Sequence, residues 1–278
     1  MKDYDNYIFD LYGTLIDIHT DETKPIVWQH LAERYNEYGC LWAPDDLRNA
    51  YLRMCWEEER KLRQETDYQN VEIELRRVFI RLFFEGHWRE CGIPLNGKLV
   101  SQWRRLYPMA PNAVMKRFIN SRFIAETAIA FRNDSTEYIR LFENTRKTLT
   151  ELQKTKRVFL LSNAQACFTD HEIDKFDLGK YFEKIYLSSN EQVKKPEKQF
   201  IMNLMNENML DPQKTVMVGN DIISDMGSAR AVGIHGILLN TFGFDARRLQ
   251  EDFAQVYGHE KPNVEVIEDG DIGKLIAA

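Results

Sequence analysis

Residues 7–17 read YIFDLYGTLID, an apolar run that ends on the carboxylate Asp10 and turns at Gly13. A short apolar run closed by a glycine predicts a buried strand, and an aspartate at its end stands where the chain leaves a sheet. Three later segments repeat the pattern, Arg157–Leu161, Lys184–Ser188 and Thr215–Val218, and Ile234–Leu239 adds a fifth strand. Helical spacings separate them. Tyr138, Leu141, Phe142, Thr145, Leu149 and Leu152 recur every three or four residues before the second strand, and Phe200, Leu204 and Met205 do so before the fourth. Strands alternating with helices predict an α/β fold, a parallel sheet with helices on both faces.

Residues 18–135 follow another grammar. They show no strand pattern, they contain all five tryptophans (Trp28, Trp42, Trp56, Trp88, Trp103), and no glycine occurs from Lys98 to Leu178. Prolines at 25, 44, 94, 108 and 111 punctuate the region as helix starts or breaks. The reading is an α/β core, 1–17 and 136–278, interrupted by an all-helical domain, 18–135.

The chain has 278 residues, 44% hydrophobic and 29% charged, with a formal charge of -6, an ordinary globular composition. The acidic balance argues against a nucleic-acid surface. Basic residues alternate with apolar ones in Arg76–Arg81 and in Gln102–Arg105, but acidic neighbours read these as solvated faces of amphipathic helices. No apolar run is long enough for a membrane span and no signal-peptide layout opens the chain, so the expectation is a cytoplasmic protein with no membrane partner. Cys40, Cys55, Cys91 and Cys167 form no C-x-x-C pair and predict reduced thiols.

In an open parallel sheet, ligands collect beyond the carboxyl ends of the strands. After the first strand come Asp10, Tyr12, Gly13 and Thr14; after the second, Ser162 and Asn163; after the third, Lys194 and Lys195 before Pro196; after the fourth, Gly219, Asn220, Asp221 and Asp225. Singly, each is an ordinary cap or turn residue. Together they supply a carboxylate nucleophile, hydroxyl and amide donors for an oxyanion, a fixed cation, and acids for Mg²⁺. A carboxylate that attacks an anionic phosphorus needs its repulsion cancelled by a lysine and a hard metal ion. Spacing of four places Asp221 and Asp225 on one face if a helix begins there.

In order and spacing, Asp10-Leu-Tyr12-Gly13-Thr14, Leu161-Ser162-Asn163, Lys195-Pro196 and Gly219-Asn220-Asp221-x-x-x-Asp225 resemble the four motifs of the haloacid dehalogenase-like hydrolase superfamily. The helical region, 18–135, resembles that superfamily's inserted cap domain, and the alternating remainder, 1–17 and 136–278, resembles its Rossmann-like core. The resemblance implies Asp10 as nucleophile forming an aspartyl intermediate, Ser162 bonding the transferred group, and Lys195 neutralising charge. Tyr12, Gly13, Thr14 and Asn163 would line the phosphate. Mg²⁺ would lie with Asp10, the Tyr12 carbonyl, Asn220, Asp221 and Asp225.

Phosphatases of the superfamily usually carry a second Asp two residues after the nucleophile, where this chain has Tyr12. A phenol, with a reference pKa of about 10, replaces a carboxyl group poorly in proton transfer near neutral pH. A 2-haloacid dehalogenase also has tyrosine there, since halide leaves without a proton. Dehalogenases, however, carry a Ser-Asn pair before the last aspartate and a tyrosine six residues after the lysine, where this chain has Asn220-Asp221-Ile222 and Ile201. The expectation is a Mg²⁺-dependent phosphatase acting on a small phosphorylated metabolite. The alternatives are a metal-independent 2-haloacid dehalogenase and, third, a non-catalytic binding protein. Substrate identity and oligomeric state are not legible in the sequence.

Overall fold

The computed structural model of the chain describes residues 3–86 and 111–276. Trp88, Cys91, Pro94, the stretch 102–105 and Pro108 lie outside the described residues. The strands are β1 (Asn6–Phe9), β2 (Ile16–Thr20), β3 (Thr136–Leu141), β4 (Arg157–Ser162), β5 (Lys184–Leu187), β6 (Thr215–Gly219), β7 (His235–Leu239) and β8 (Val264–Ile267). Six form one parallel sheet in the order β5-β4-β1-β6-β7-β8. With helices flanking it, this is the α/β Rossmann-like core expected.

β1 lies near the middle of the sheet and both of its faces are covered. Tyr7 and Phe9 pack with Val158, Leu160, Val216 and Val218 in one layer, while Ile8 packs with Phe159, Leu161 and Met217 in the other. That two-sided burial is why the strand reads as a continuous apolar run rather than an alternating one. Register then sets the site: Phe9 pairs with Leu160 of β4 and with Val218 of β6, so the three strands end at one level. Asp10, Ser162 and Asn220 therefore emerge along the same edge.

The chain divides into two compact units, residues 1–18, 67–72 and 138–278, and residues 19–66 and 73–137. The sequence pattern assigns residues 67–72 to the helical region, but they belong to the core. Val71 bridges Val193 in antiparallel fashion, the Glu72 amide donates to the Gln192 carbonyl (3.1 Å) and the Lys194 amide to that of Asn70 (2.9 Å). A single bridge carries too little period-two pattern to be seen in sequence.

The predicted helix beginning at Tyr138 is a second departure. Thr136–Leu141 is β3, paired with β2, and the helix runs only from Thr145 to Leu152 after Asn144 in left-handed conformation (φ 63°). Tyr138, Leu141 and Phe142 match the helical period while their backbone groups pair with a strand distant in sequence; the Phe142 amide, for example, donates to the Leu15 carbonyl at 3.1 Å. The strand β8 has no counterpart in the sequence pattern.

In the second unit, helices Pro25–Glu37, Pro44–Glu65 and Pro111–Phe118 each start at a proline, whose missing N–H is no loss at that position. Leu75–Gly86 and Arg122–Ser135 complete its described helices. Its core is aromatic: Phe131 lies 5.5 Å from Trp28, 5.5 Å from Tyr51 and 5.6 Å from Phe79, centroid to centroid. The basic residues of Arg76–Arg81 pair with acids. Arg77 and Arg81 meet Glu58 (2.8 and 3.1 Å), and Arg76 meets Glu74. Among the described residues no helix is long and apolar enough to cross a membrane, and Cys40, Cys55 and Cys167 are reduced thiols, that of Cys40 donating to the Phe83 carbonyl (3.4 Å).

Candidate active site

The turn after β1 is built to bring backbone close to side chain. The Leu15 and Ile16 amides both donate to the Leu11 carbonyl (2.8 and 2.9 Å), which closes the loop, and Gly13 adopts φ +83°. A Cβ at Gly13 would lie 2.4–2.7 Å from the Asn220 amide group, so only glycine admits Asn220 there. Gly219 performs the same service for Asp225, whose carboxylate occupies the space a Cβ would take, at 2.1–2.6 Å.

Asp10 is buried, and each of its oxygens is held. Oδ1 accepts from Lys195 Nζ (2.6 Å) and Ser162 Oγ (3.2 Å), and Oδ2 accepts from Thr14 Oγ1 (3.2 Å). Lys195 Nζ also donates to Asp225 Oδ1 (2.7 Å) and to the Leu161 carbonyl (2.9 Å), so its three protons have three partners. The second Asp225 oxygen accepts the Asp221 amide (3.0 Å). Burial acts to lower Lys195, but the Asp10 and Asp225 carboxylates outweigh it and hold the ammonium above its ordinary range. Burial, opposed by Lys195 and reinforced by Asp10, pushes the Asp225 carboxyl up to about 7.

The structure brings Asp10, Thr14, Ser162, Lys195, Asn220 and Asp225 together. It does not bring in Asp221 by its carboxylate. That side chain is exposed and caps the following turn, accepting the Ser224 amide at 2.7 Å. The expectation of two acids on one helix face assumes an α-helix from Asp221. The turn Ile222–Met226 is instead a π-helix with Asp221 as its N-cap in extended conformation, so Asn220 faces inward and Asp221 outward.

The polar groups of Gly13, Thr14 and Asn163, expected at the phosphate, are committed to the scaffold. The Gly13 amide donates to the Ile16 carbonyl (2.8 Å), and the Thr14 hydroxyl spans Asp10 and Asn220. Asn163 grips the backbone of Lys195 at both ends, its Oδ1 accepting the Lys195 amide (2.7 Å) and its Nδ2 donating to the Lys195 carbonyl (3.0 Å). Lys195 thus owes its position to Asn163 and to the Val71–Val193 bridge just before it. Sequence spacing gives no sign of either contact.

Tyr12 turns its ring to the helix Ala166–Lys175. Its hydroxyl lies 2.9 Å from Thr169 Oγ1 and donates to the Glu172 carboxylate. Both partners are buried. Nothing in the sequence singles out either residue.

The oxygens around Asp10 suit a hard cation. Asp10 Oδ2 and Asn220 Oδ1 both lie 3.2 Å from Thr14 Oγ1, and one hydroxyl proton cannot satisfy two acceptors, so the pair offers more lone pairs than protons. With Asp225 ionised, above about pH 7, Asp10, Asp225 and Lys195 sum to one negative charge. Among the described residues no three His, Cys, Asp or Glu side chains group as a metal site; a cation here would draw on amide and carbonyl oxygens and on water, which Mg²⁺ accepts.

A parallel sheet with a carboxylate, a lysine and a hydroxyl converging at its carboxyl edge defines a Rossmann-like core with a polar cluster where such sheets collect ligands. The family model for haloacid dehalogenase-like hydrolases matches residues 101–239, half of the chain, and the chain belongs to that family. It is 25% identical over 141 residues to a glyceraldehyde 3-phosphate phosphatase of Pyrococcus furiosus, covering 49% of this chain and 59% of the relative. It is 33% identical over 70 residues to a phospholysine phosphohistidine inorganic pyrophosphate phosphatase of Danio rerio, covering 24% and 26%. The chain thus spans less than two thirds of either curated relative. The crystal structure of a 2-haloacid dehalogenase from Pseudomonas syringae pv. Tomato DC3000 superposes with a TM-score of 0.62 over 98% of this chain and 96% of that one, at 17% identity, a likeness of fold alone.

Proposed function

We propose that the protein is a phosphatase acting on a small phosphorylated molecule, with Asp10 as the nucleophile. The observation that carries this reading is the buried Asp10–Lys195–Asp225 chain. Above about pH 7, where Asp225 is ionised, a lysine bonded to two carboxylates leaves the site negative, so an anionic phosphoryl group approaches Asp10 more readily with a further positive charge. Asp10, the Tyr12 carbonyl and Asn220 would hold Mg²⁺, with Asp225 bracing Lys195 behind them. Bound there, the ion would supply charge neutralisation on the phosphoryl oxygens.

Asp10 attacks phosphorus while Lys195, bonded to its Oδ1, holds the carboxylate in place, and the bond to the leaving group breaks. Ser162 Oγ, now on Asp10, would donate to a phosphoryl oxygen. Water then attacks phosphorus of the aspartyl phosphate and restores Asp10. Phosphatase names among the curated relatives support this reading. Phosphate release from an aryl phosphate in Mg²⁺, lost in EDTA and in Asp10→Asn, is the test; full activity in Asp10→Asn contradicts it.

The anchoring of the Tyr12 phenol on Glu172 favours one second reading, displacement of halide from a 2-haloacid by Asp10, since halide needs no proton. Halide release from 2-chloropropionate without metal, and no phosphate release, would establish it in place of the first.

A further inference from the structure

An alkyl phosphate ester leaves as an alkoxide, which needs a proton as its bond to phosphorus breaks. An acyl phosphate leaves as a carboxylate, which needs none. The acidic protons among the described residues that bond Asp10 or flank it in the turn after β1 all have partners. Those of Lys195 Nζ go to Asp10, Asp225 and the Leu161 carbonyl. Asp225 is fully buried, with one oxygen on Lys195 and the other on the Asp221 amide. Ser162 and Thr14 are aliphatic hydroxyls that keep their protons at neutral pH, and both bond Asp10. The remaining acid is the Tyr12 phenol. It donates to Glu172 with Thr169 beside it, and both partners sit on one face of the helix Ala166–Lys175, packed into the core.

Resting on the phosphatase reading, we infer that this core withholds a proton from the leaving group and that its substrate is an acyl phosphate, a mixed anhydride of a carboxylic and a phosphoric acid. Asp10 attacks phosphorus, the bond from phosphorus to the acyl oxygen breaks, and the carboxylate departs with the electron pair. Water then attacks phosphorus, the bond to the Asp10 oxygen breaks, and inorganic phosphate leaves carrying both water protons. Each bond broken at phosphorus is then an acyl phosphate bond, and neither leaving group requires an acid. Glu172 and Thr169 act as positioning residues, through Tyr12.

The test uses the full chain with Mg²⁺ and compares kcat/KM for acetyl phosphate with that for glycerol 3-phosphate, each corrected for the rate with Asp10→Asn. A ratio of about 10²-fold or more is expected, the least that a positioned proton donor typically supplies. A smaller ratio overturns the inference and leaves the phosphatase reading standing. No Asp10-dependent release from either compound overturns both. In Tyr12→Phe the ratio should persist, because the phenol gives no proton; a selective loss of glycerol 3-phosphate turnover identifies it as the donor and overturns the inference.

Discussion

Lys195 carries the heaviest electrostatic duty of any single residue in the site. Its removal leaves Asp10 and Asp225 facing each other across a buried space with no cation between them. Breaking a buried charge network by deleting one member typically costs about 3–5 kcal/mol. Lys195→Met should therefore lose activity and show that loss of stability in urea denaturation, with Asp225→Asn in the same chain recovering part of it. Asp225 sets a pH signature as well. Its folded value of about 7 lies above the ordinary 3.8, so between these the folded chain holds a proton that the unfolded chain has released. Unfolding then releases a proton, and the stability of the metal-free protein should fall as pH rises from about 4 to about 7 and level off above. Denaturation midpoints over that range should show the slope in the wild type and a flatter profile in Asp225→Asn. Asp10, Ser162 and Lys195 are legible in the sequence because each follows a strand that the apolar pattern reveals. The partner of the Tyr12 phenol is not, because a side chain's direction after a tight turn depends on a helix more than 150 residues away in sequence.

The turns at the ends of β1 and β6 are the elements that make the site. Gly219 ends β6 where the Asp225 carboxylate crosses the backbone, so Gly219→Ala forces a methyl group into that carboxylate. The expected cost is about 1–3 kcal/mol by thermal denaturation, with lower activity, since Asp225 must shift away from Lys195. An alanine accepted without change in either would contradict the close approach. The motif glycines are visible in sequence, but the π-turn after Asp221 is not. An aspartate followed four residues later by another reads as one helical face, and only the added residue in the turn sends Asp221 to solvent and leaves Asn220 inside. The β2–β3 pair is hidden for a related reason: Tyr138, Leu141 and Phe142 satisfy a helical period by coincidence, while the pairing that decides their backbone lies across the whole insertion.

At the scale of the molecule, the two units have separate cores built on different residue types, largely aliphatic strands in one and edge-on or tilted aromatics in the other. The clustering of tryptophans in residues 18–135 and the long run without glycine carry that contrast in the amino-acid sequence itself. Phe131, fully buried among Trp28, Tyr51 and Phe79, should make Phe131→Ala cost about 3–5 kcal/mol in the helical unit by urea denaturation. The central claim, that Asp10 becomes phosphorylated during turnover, has a direct test. Wild type turning over acetyl phosphate with Mg²⁺ is quenched with borohydride, which reduces an aspartyl phosphate to homoserine, and the peptide spanning residues 7–17 is read by mass spectrometry. Homoserine at position 10 in the wild type, and none in Asp10→Asn, is the predicted result; steady phosphate release with no reduction at position 10 would contradict it.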